Sequence, residues 1–529
     1  MTAEPPTAAE RWRAWLRRLD ARDEPRPTAL VLSGGGARAS FQLGALRYLY
    51  DVVGITPRII AGTSAGAILG AMLAQAGDRE GQRTYLAELE EMWLSMADSS
   101  EMFAALPWFA QLRERGPLWM ETLDRRSAAS RRPSGRARTF QRDGHRHNHR
   151  TADASDDGHD DRAVEEDTSP WHPVKVLEAL ERLRILGRAG TEIVDILRGA
   201  QDSRSMFTPG PTVEGLLTSG AFDAGRVAAS GVQLRIAIVA LESGELRYVT
   251  EDGRLLDRDG HAVADHEPVD LSDAVRASCS IPMVLPPVRI GEEHYIDGGI
   301  RESLPADITQ RVMGADPCYA VLAGPTTGLA QESSYADKNM VAVMMRATTG
   351  IMTDELQRDE AVAARREGAV VIEPEFDVHE TLTLTPGLTA IAMDYGYLRA
   401  AEAHLGASSA QQRLGRDIIV LRRRLWRIEE RLFAPVPEAT RGDGAATPPM
   451  DATAGMEAIA ADAGREAPPA APEDLRERLA AGKAELRRLL EALPPEYLPA
   501  GADDWWRGWE THTFEIAEEP SWLAGDRDG

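Results

Sequence analysis

The chain has 529 residues, 43% hydrophobic and 27% charged, with a formal charge of −24 at pH 7. The length exceeds one small core, the composition is that of a globular protein, and the acid excess argues against nucleic-acid binding, which needs clustered Lys and Arg. Two cysteines, Cys279 and Cys318, exclude a disulfide framework and fit a reducing compartment, both read as small core residues. No run of about eighteen apolar residues occurs, so no transmembrane helix is expected. The opening MTAEPPTAAERWRAW lacks a positive segment followed by an apolar core, so no secretory signal is expected, and the location is read as cytoplasmic.

In chain order, residues 10–22 place Trp12, Trp15, Leu16 and Leu19 on one helical stripe, with arginines around them. ALVLS at 29–33 reads as a short buried strand, followed by a helix after Gly36; PRIIAG at 57–62 reads as a second strand, followed by the helix SAGAILGAMLAQAG. Strand, loop, helix, strand, turn, helix is the opening of an α/β sheet. Residues 125–169, basic and then acidic with few aliphatics, read as a disordered insertion. Its His145, His147 and His149 resemble a metal tract, but without ordered neighbours they read as solvated, and no metal or cofactor is expected. Helical pattern resumes near residue 173. VQLRIAIVALESGELRYVT predicts strand, turn at Ser243–Gly244, strand; LSDAVRASCS predicts a helix stopped by Pro282; HYIDGG, DPCYAVLAG and GAVVIEPEF predict three more strands. The α/β pattern closes near Gly406. A helix ending at Phe433, a Pro/Ala/Gly-rich linker at 434–472 and a last amphipathic helix follow, the latter with Leu475, Leu479, Leu486, Leu489 and Leu490 on one face.

Two segments carry chemistry. In GTSAG, Ser64 lies between a strand end and a helix start, with small Gly62 and Gly66 permitting a sharp turn that lifts the hydroxyl above the sheet, and the helix N-terminus favouring negative charge. In GGGAR, Gly34, Gly35 and Gly36 follow the first strand and can turn successive N–H groups into one concavity. Either phosphate or an oxyanion suits such a nest. Phosphate is disfavoured because neither the P-loop nor the dinucleotide-binding spacing is kept. A serine also needs a base, and Asp297 stands at a strand end before the turn Gly298–Gly299.

GGGAR, GTSAG and DGG, in that order and each after a strand, resemble the patatin-like phospholipases, and the resemblance covers about 29–405. RASCSIPMVLPPVRI, LPADITQRVMGADPCYAV and GYLRAAEAH support it. It implies a three-layer α/β/α hydrolase domain at 29–406 with a mostly parallel sheet; the residue pattern itself adds an N-terminal helix at 1–28 and a helical C-terminal appendage at 407–529, the latter with no counterpart in the family. The resemblance implies hydrolysis of acyl esters of phospholipids or related lipids by a Ser64–Asp297 dyad, an oxyanion hole of Gly34, Gly35 and Gly36, and Arg38 steadying that loop. Ala39, where the family usually has glycine, and Ser303, where many members have asparagine, depart from the pattern.

Two alternatives stand beside this. A Ser-His-Asp triad would use His379, His404 or His512, none of which follows a strand in a glycine-flanked loop. A catalytically weak scaffold for lipid or protein binding is opposed by retention of Ser64, Asp297 and all three glycines. The stripe of Trp12, Trp15, Leu16 and Leu19 suits peripheral membrane contact or packing on the domain equally, and the insertion and C-terminal helices are candidate controls that a regulatory protein partner would use.

Overall fold

The computed structural model describes residues 26–111, 203–264, 266–326, 346–433 and 472–502, with Gly199, Val343, Trp505 and Trp506. The N-terminal stripe, the insertion with its three histidines, the helical pattern at 173–187, the linker at 434–471 and His512 lie outside the described residues.

Strands β1 (Ala29–Leu32) and β2 (Ile59–Gly62) are buried along their whole length. Leu30, Leu32 and Ile60 enter one apolar cluster, while Ala29, Val31 and Ile59 enter another on the opposite face. A strand alternates its side chains between faces, so two clusters mean a sheet covered on both sides. A short antiparallel ribbon, β3 (Phe103–Ala105) with β4 (Phe207–Pro209), stands apart from that sheet. The remaining strands are β5 (Gln233–Ala240), β6 (Leu246–Thr250), β7 (Leu255–Leu256), β8 (Val288–Ile290), β9 (Glu293–Asp297), β10 (Cys318–Val321) and β11 (Val370–Ile372). The order is β11-β10-β1-β2-β5-β6-β7, with β9 also on β5 and β8 on β9. The five strands from β11 to β5 are parallel, and every other pairing in the sheet is antiparallel. This is the three-layer α/β/α arrangement with a mostly parallel sheet that the motifs imply.

Helices cover both faces. On one side lie α1 (Ala39–Tyr48), α2 (Ala65–Leu73), α3 (Arg79–Ser95) and α4 (Leu271–Ser278), the last capped by Asp270 accepting from the Ser272 and Asp273 N–H groups at 2.8 and 3.2 Å. On the other lies α5 (Thr353–Arg366), whose Ala361 and Ala364 pack on the β1–β10 face. Helix α6 (Pro386–Leu405) lies against α1 so closely that a Cβ on Gly44 would come within 1.6 Å of the Met393 carbonyl oxygen.

Both C-terminal helices form. Helix α7 (Ser409–Phe433) packs on α6 and on α8 (Pro472–Ala492). Pro472 opens α8 rather than closing the linker, since its fixed φ suits a first helical turn. Leu479, Leu486 and Leu490 are buried, with Leu475 and Leu489 packed beside them, in the same cluster as Leu30 and Leu46. Within the seam Lys483 Nζ stands 2.7 Å from Glu429 Oε1, the two side chains 6% and 0% exposed. Arg422 pairs with Asp394 at 3.0 Å and lies 3.8 Å from the Trp505 ring centre.

A charge buried in such a seam tolerates no loss of its partner. Lys483→Met is expected to lower unfolding free energy by roughly 3 kcal/mol or more, and Lys483→Met with Glu429→Leu to recover most of it. Urea melts of the three proteins check this.

Candidate active site

Strand β5 carries two different strands along one edge. Parallel β2 runs beside its first half and ends with Gly62 opposite Ile236; antiparallel β9 runs beside its second half and ends with Asp297 opposite Ile238. The two strand ends therefore face each other across the position of Ala237. Ser64, two residues past Gly62, and Asp297 are brought together there from segments far apart in sequence.

Ser64 is strained. Its φ of 55° and ψ of −127° lie where L-residues are seldom found, and it heads α2 directly. The elbow is held from below: the Ser64 N–H donates to Ser278 Oγ at 2.9 Å, and that hydroxyl donates to the Ala237 carbonyl at 2.7 Å. A Cβ on Gly66 would lie 2.4 Å from the Leu32 carbonyl oxygen, so the turn closes only with a bare backbone there.

Asp297 is 6% exposed and Ser64 4%. Burial pushes the Asp297 carboxyl up to about 6, opposed by the Gly299 N–H and by the Ser64 hydroxyl. The Gly299 bond is 2.8 Å. Burial, with the nearby Asp297 charge, also raises the Cys279 thiol, and burial raises Cys318 to about 11, so both thiols stay protonated.

The glycine loop lies against the serine: a Cβ on Gly34 would come within 3.3 Å of Ser64 Cβ. Of the three expected donors, Gly34 is already committed, giving its N–H to the Ser303 carbonyl at 3.1 Å. Among the described residues no acceptor takes the Gly35 or Gly36 N–H. Gly36 has φ +56°, and a Cβ there would meet the Thr381 carbonyl oxygen at 2.5 Å. Arg38 leaves the loop sideways, its Nη1 at 3.0 and 3.1 Å from the Asp377 carboxylate oxygens.

A short strap after the Gly298–Gly299 turn ties these parts together. The Glu302 carbonyl accepts from Thr63 Oγ1 at 3.1 Å, beside the elbow, and the Ser303 carbonyl takes the Gly34 N–H. From α5, the Glu360 carboxylate accepts from the Ser303 N–H at 3.1 Å and the Leu304 N–H at 2.8 Å. Burial, then the neighbouring Glu302, pushes Glu360 up to about 9; burial, offset by Tyr248, puts Glu302 at about 7. The sequence reading assigned no role to Ser278, Glu302, Glu360 or Asp377; Ser278 stood inside RASCSIP, and the others carried no local signal.

The two histidine alternatives among the described residues fall elsewhere. His379 Nε2 lies 3.0 Å from Ser40 Oγ, and burial lowers its basicity. His404 Nδ1 lies 3.0 Å from the Tyr48 hydroxyl. Neither is a partner of Ser64.

The structure thus brings together a hydroxyl at a strained strand-to-helix turn, a desolvated carboxylate and a glycine loop in which, among the described residues, two N–H groups have no acceptor. The family model for patatin-like phospholipases matches residues 30–309, more than half of the 529, and the chain belongs to that family of lipid acyl hydrolases. No curated protein matches. Among solved structures, VipD from Legionella pneumophila is similar at 14% identity, covering 96% of this chain and 93% of that one, with a TM-score of 0.32. A chain in the complex of full-length SpcU with full-length ExoU, from the type III secretion system of Pseudomonas aeruginosa, is similar at 14% identity over 89% of this chain and 79% of that one, with a TM-score of 0.19. No helix among the described residues is long and apolar enough to cross a membrane.

The raised Asp297 carboxyl has a consequence for stability. Its folded value, about 6, stands above the ordinary 3.8, so the folded protein holds that proton more tightly than the unfolded chain. Below about pH 4 the group is neutral in both states and costs nothing; the penalty grows as pH rises from there through 6. Asp297→Asn, which keeps an acceptor for Gly299, is expected to be more stable than the wild type by about 1–3 kcal/mol at pH 8. The two melting curves should converge near pH 4, as calorimetry across that range will measure.

Proposed function

We propose that the protein hydrolyses acyl esters of phospholipids or related lipids with Ser64 as nucleophile and Asp297 as base. Ser64 Oγ attacks the acyl carbonyl carbon while its proton passes to the Asp297 carboxylate. The carbonyl oxygen, now an oxyanion, takes the Gly35 and Gly36 N–H groups, each worth roughly 3–4 kcal/mol at such a site. The ester C–O bond then breaks and the Asp297 proton leaves with the alcohol, giving the lyso-lipid. Water attacks the acyl-serine, Asp297 takes its proton, and breakdown of the second tetrahedral intermediate frees the fatty acid and restores the Ser64 hydroxyl. Every group that moves a proton in this scheme belongs to the chain.

What carries the reading is the meeting of the β2 and β9 ends over Ala237, which sets a desolvated carboxylate beside a hydroxyl on a helix N-terminus. Desolvation makes Asp297 a stronger base than an exposed carboxylate, which suits direct transfer without an intervening imidazole. Gly34 acts in this scheme as the hinge that aims its two neighbours. Arg38, held by Asp377, keeps the loop in place. The arginine-flanked stripe of Trp12, Trp15, Leu16 and Leu19 would supply peripheral contact with a lipid surface.

Fatty-acid release from mixed phospholipid vesicles tests the proposal. Ser64→Ala and Asp297→Asn are each expected to lose about 10³-fold or more. In the wild type kcat/KM should rise with pH through about 6, as Asp297 becomes a carboxylate. Should vesicles give no release, a short-chain soluble ester replaces them; hydrolysis there that survives Ser64→Ala would sink the assignment, and silence on both substrates would favour a binding role.

A further inference from the structure

The glycine loop rests on a segment that lies beyond the residues matched by the family model, and that segment is gripped in turn by the C-terminal helices. After β11 the chain passes under the loop. The Ala37 N–H donates to the Thr381 carbonyl at 2.8 Å, His379 Nε2 meets Ser40 Oγ at 3.0 Å, and the Asp377 carboxylate holds Arg38. Gly36 presses directly on the Thr381 carbonyl, since a Cβ would leave only 2.5 Å. The segment 377–381 thus touches the loop at Gly36, Ala37, Arg38 and Ser40.

The same segment is fixed from the other side. Arg423 of α7 donates through Nη1 to the Asp377 carbonyl at 2.8 Å, and its guanidinium lies 5.4 Å from the Phe376 ring centre. Phe376 stacks on Tyr395 of α6 at 5.1 Å, and the Tyr395 hydroxyl accepts the Glu375 N–H at 2.8 Å. Asp377 thus joins two elements through different atoms: its carbonyl takes the C-terminal helix and its carboxylate takes the loop arginine. Gly324 leaves the guanidinium its place, since a Cβ there would lie 2.8 Å from Arg38 Nη1.

We infer that Asp377 is a positioning residue for the Gly35–Gly36 donors and that Arg423 sets Asp377, so that the seating of α7 governs the rate of acyl transfer. The inference rests on the oxyanion role proposed above for those glycines. It differs from a general packing role in one respect: it concerns the placement of N–H groups used when charge develops on the substrate oxygen, so it acts on kcat and not on substrate binding.

The test uses the full-length protein, a soluble p-nitrophenyl ester that needs no interface, and a fluorophosphonate whose end-point labelling counts intact sites. Per titrated site, Asp377→Asn is expected to lower kcat about 10–100-fold, with KM changed less than about two-fold, since one misaimed oxyanion donor has that effect. Arg423→Met should lower kcat about 3–10-fold, and the double variant should be no slower than Asp377→Asn alone, because both act on one path. Asp377→Glu should recover part of the rate. A kcat per site for Asp377→Asn within about two-fold of wild type overturns the inference, as do Arg423 and Asp377 effects that simply multiply. If Asp377→Asn gives no titratable sites, Arg423→Met decides alone, and an unchanged kcat there overturns the coupling. A rate that survives Ser64→Ala overturns the underlying catalytic reading and the coupling with it; a rate that vanishes in Ser64→Ala while Asp377→Asn stays fast overturns the coupling only.

Discussion

The geometry of this site follows from one feature of the sheet: β5 is longer than the strand it receives. Its first half pairs with β2 and its second half with β9, running the opposite way. Two chain ends must therefore turn out of the sheet at the same place, and neither can continue without colliding with the other. One turns upward into a helix through Ser64, the other into a short 3₁₀ turn through Gly298. A sheet parallel throughout would have put a helix connection where Asp297 stands, and the carboxylate would have had no route to the serine.

Holding two such turns against each other is left to polar groups that are nearly dry. Ser278 bridges the elbow to Ala237, the strap at 302–304 links the elbow to the glycine loop, and Glu360 gathers the N–H groups of that strap. Each bond satisfies a backbone group that would otherwise be buried without a partner, which is costly in an apolar interior. Three carboxyls serve the two turns and the strap, Asp297, Glu302 and Glu360, and burial raises all of them. The surroundings thus lower the charge that the region carries at neutral pH, and of the three Asp297 is raised least, to about 6, and Glu360 most, to about 9.

What was legible in the sequence was local. Glycines after a short apolar run, a serine between small residues before a helix, and an aspartate before two glycines each express a constraint satisfied within a few residues, and strand and helix positions around them followed. The C-terminal leucine stripe was legible for the same reason. What was not legible depends on distant contacts. Nothing in GGG says which N–H is spent, yet Gly34 is committed by a carbonyl at Ser303. Glu360 and Asp377 sit in segments with no motif, and become important only because α5 and the segment after β11 pass beside the loops. His379, already disfavoured by its place in the chain, has its ring against Ser40.

The pair Lys483–Glu429 has a further meaning for the C-terminal helices. Apolar seams between helices are forgiving, since one leucine resembles the next and a helix can slide by a turn at modest cost. A buried cation facing a buried anion restricts that freedom, because another register would part the two charges away from water. The register in which α8 lies along α7 is therefore favoured by the seam itself. Sliding α8 by a turn along α7 would part Lys483 from Glu429 and leave both charges buried without each other.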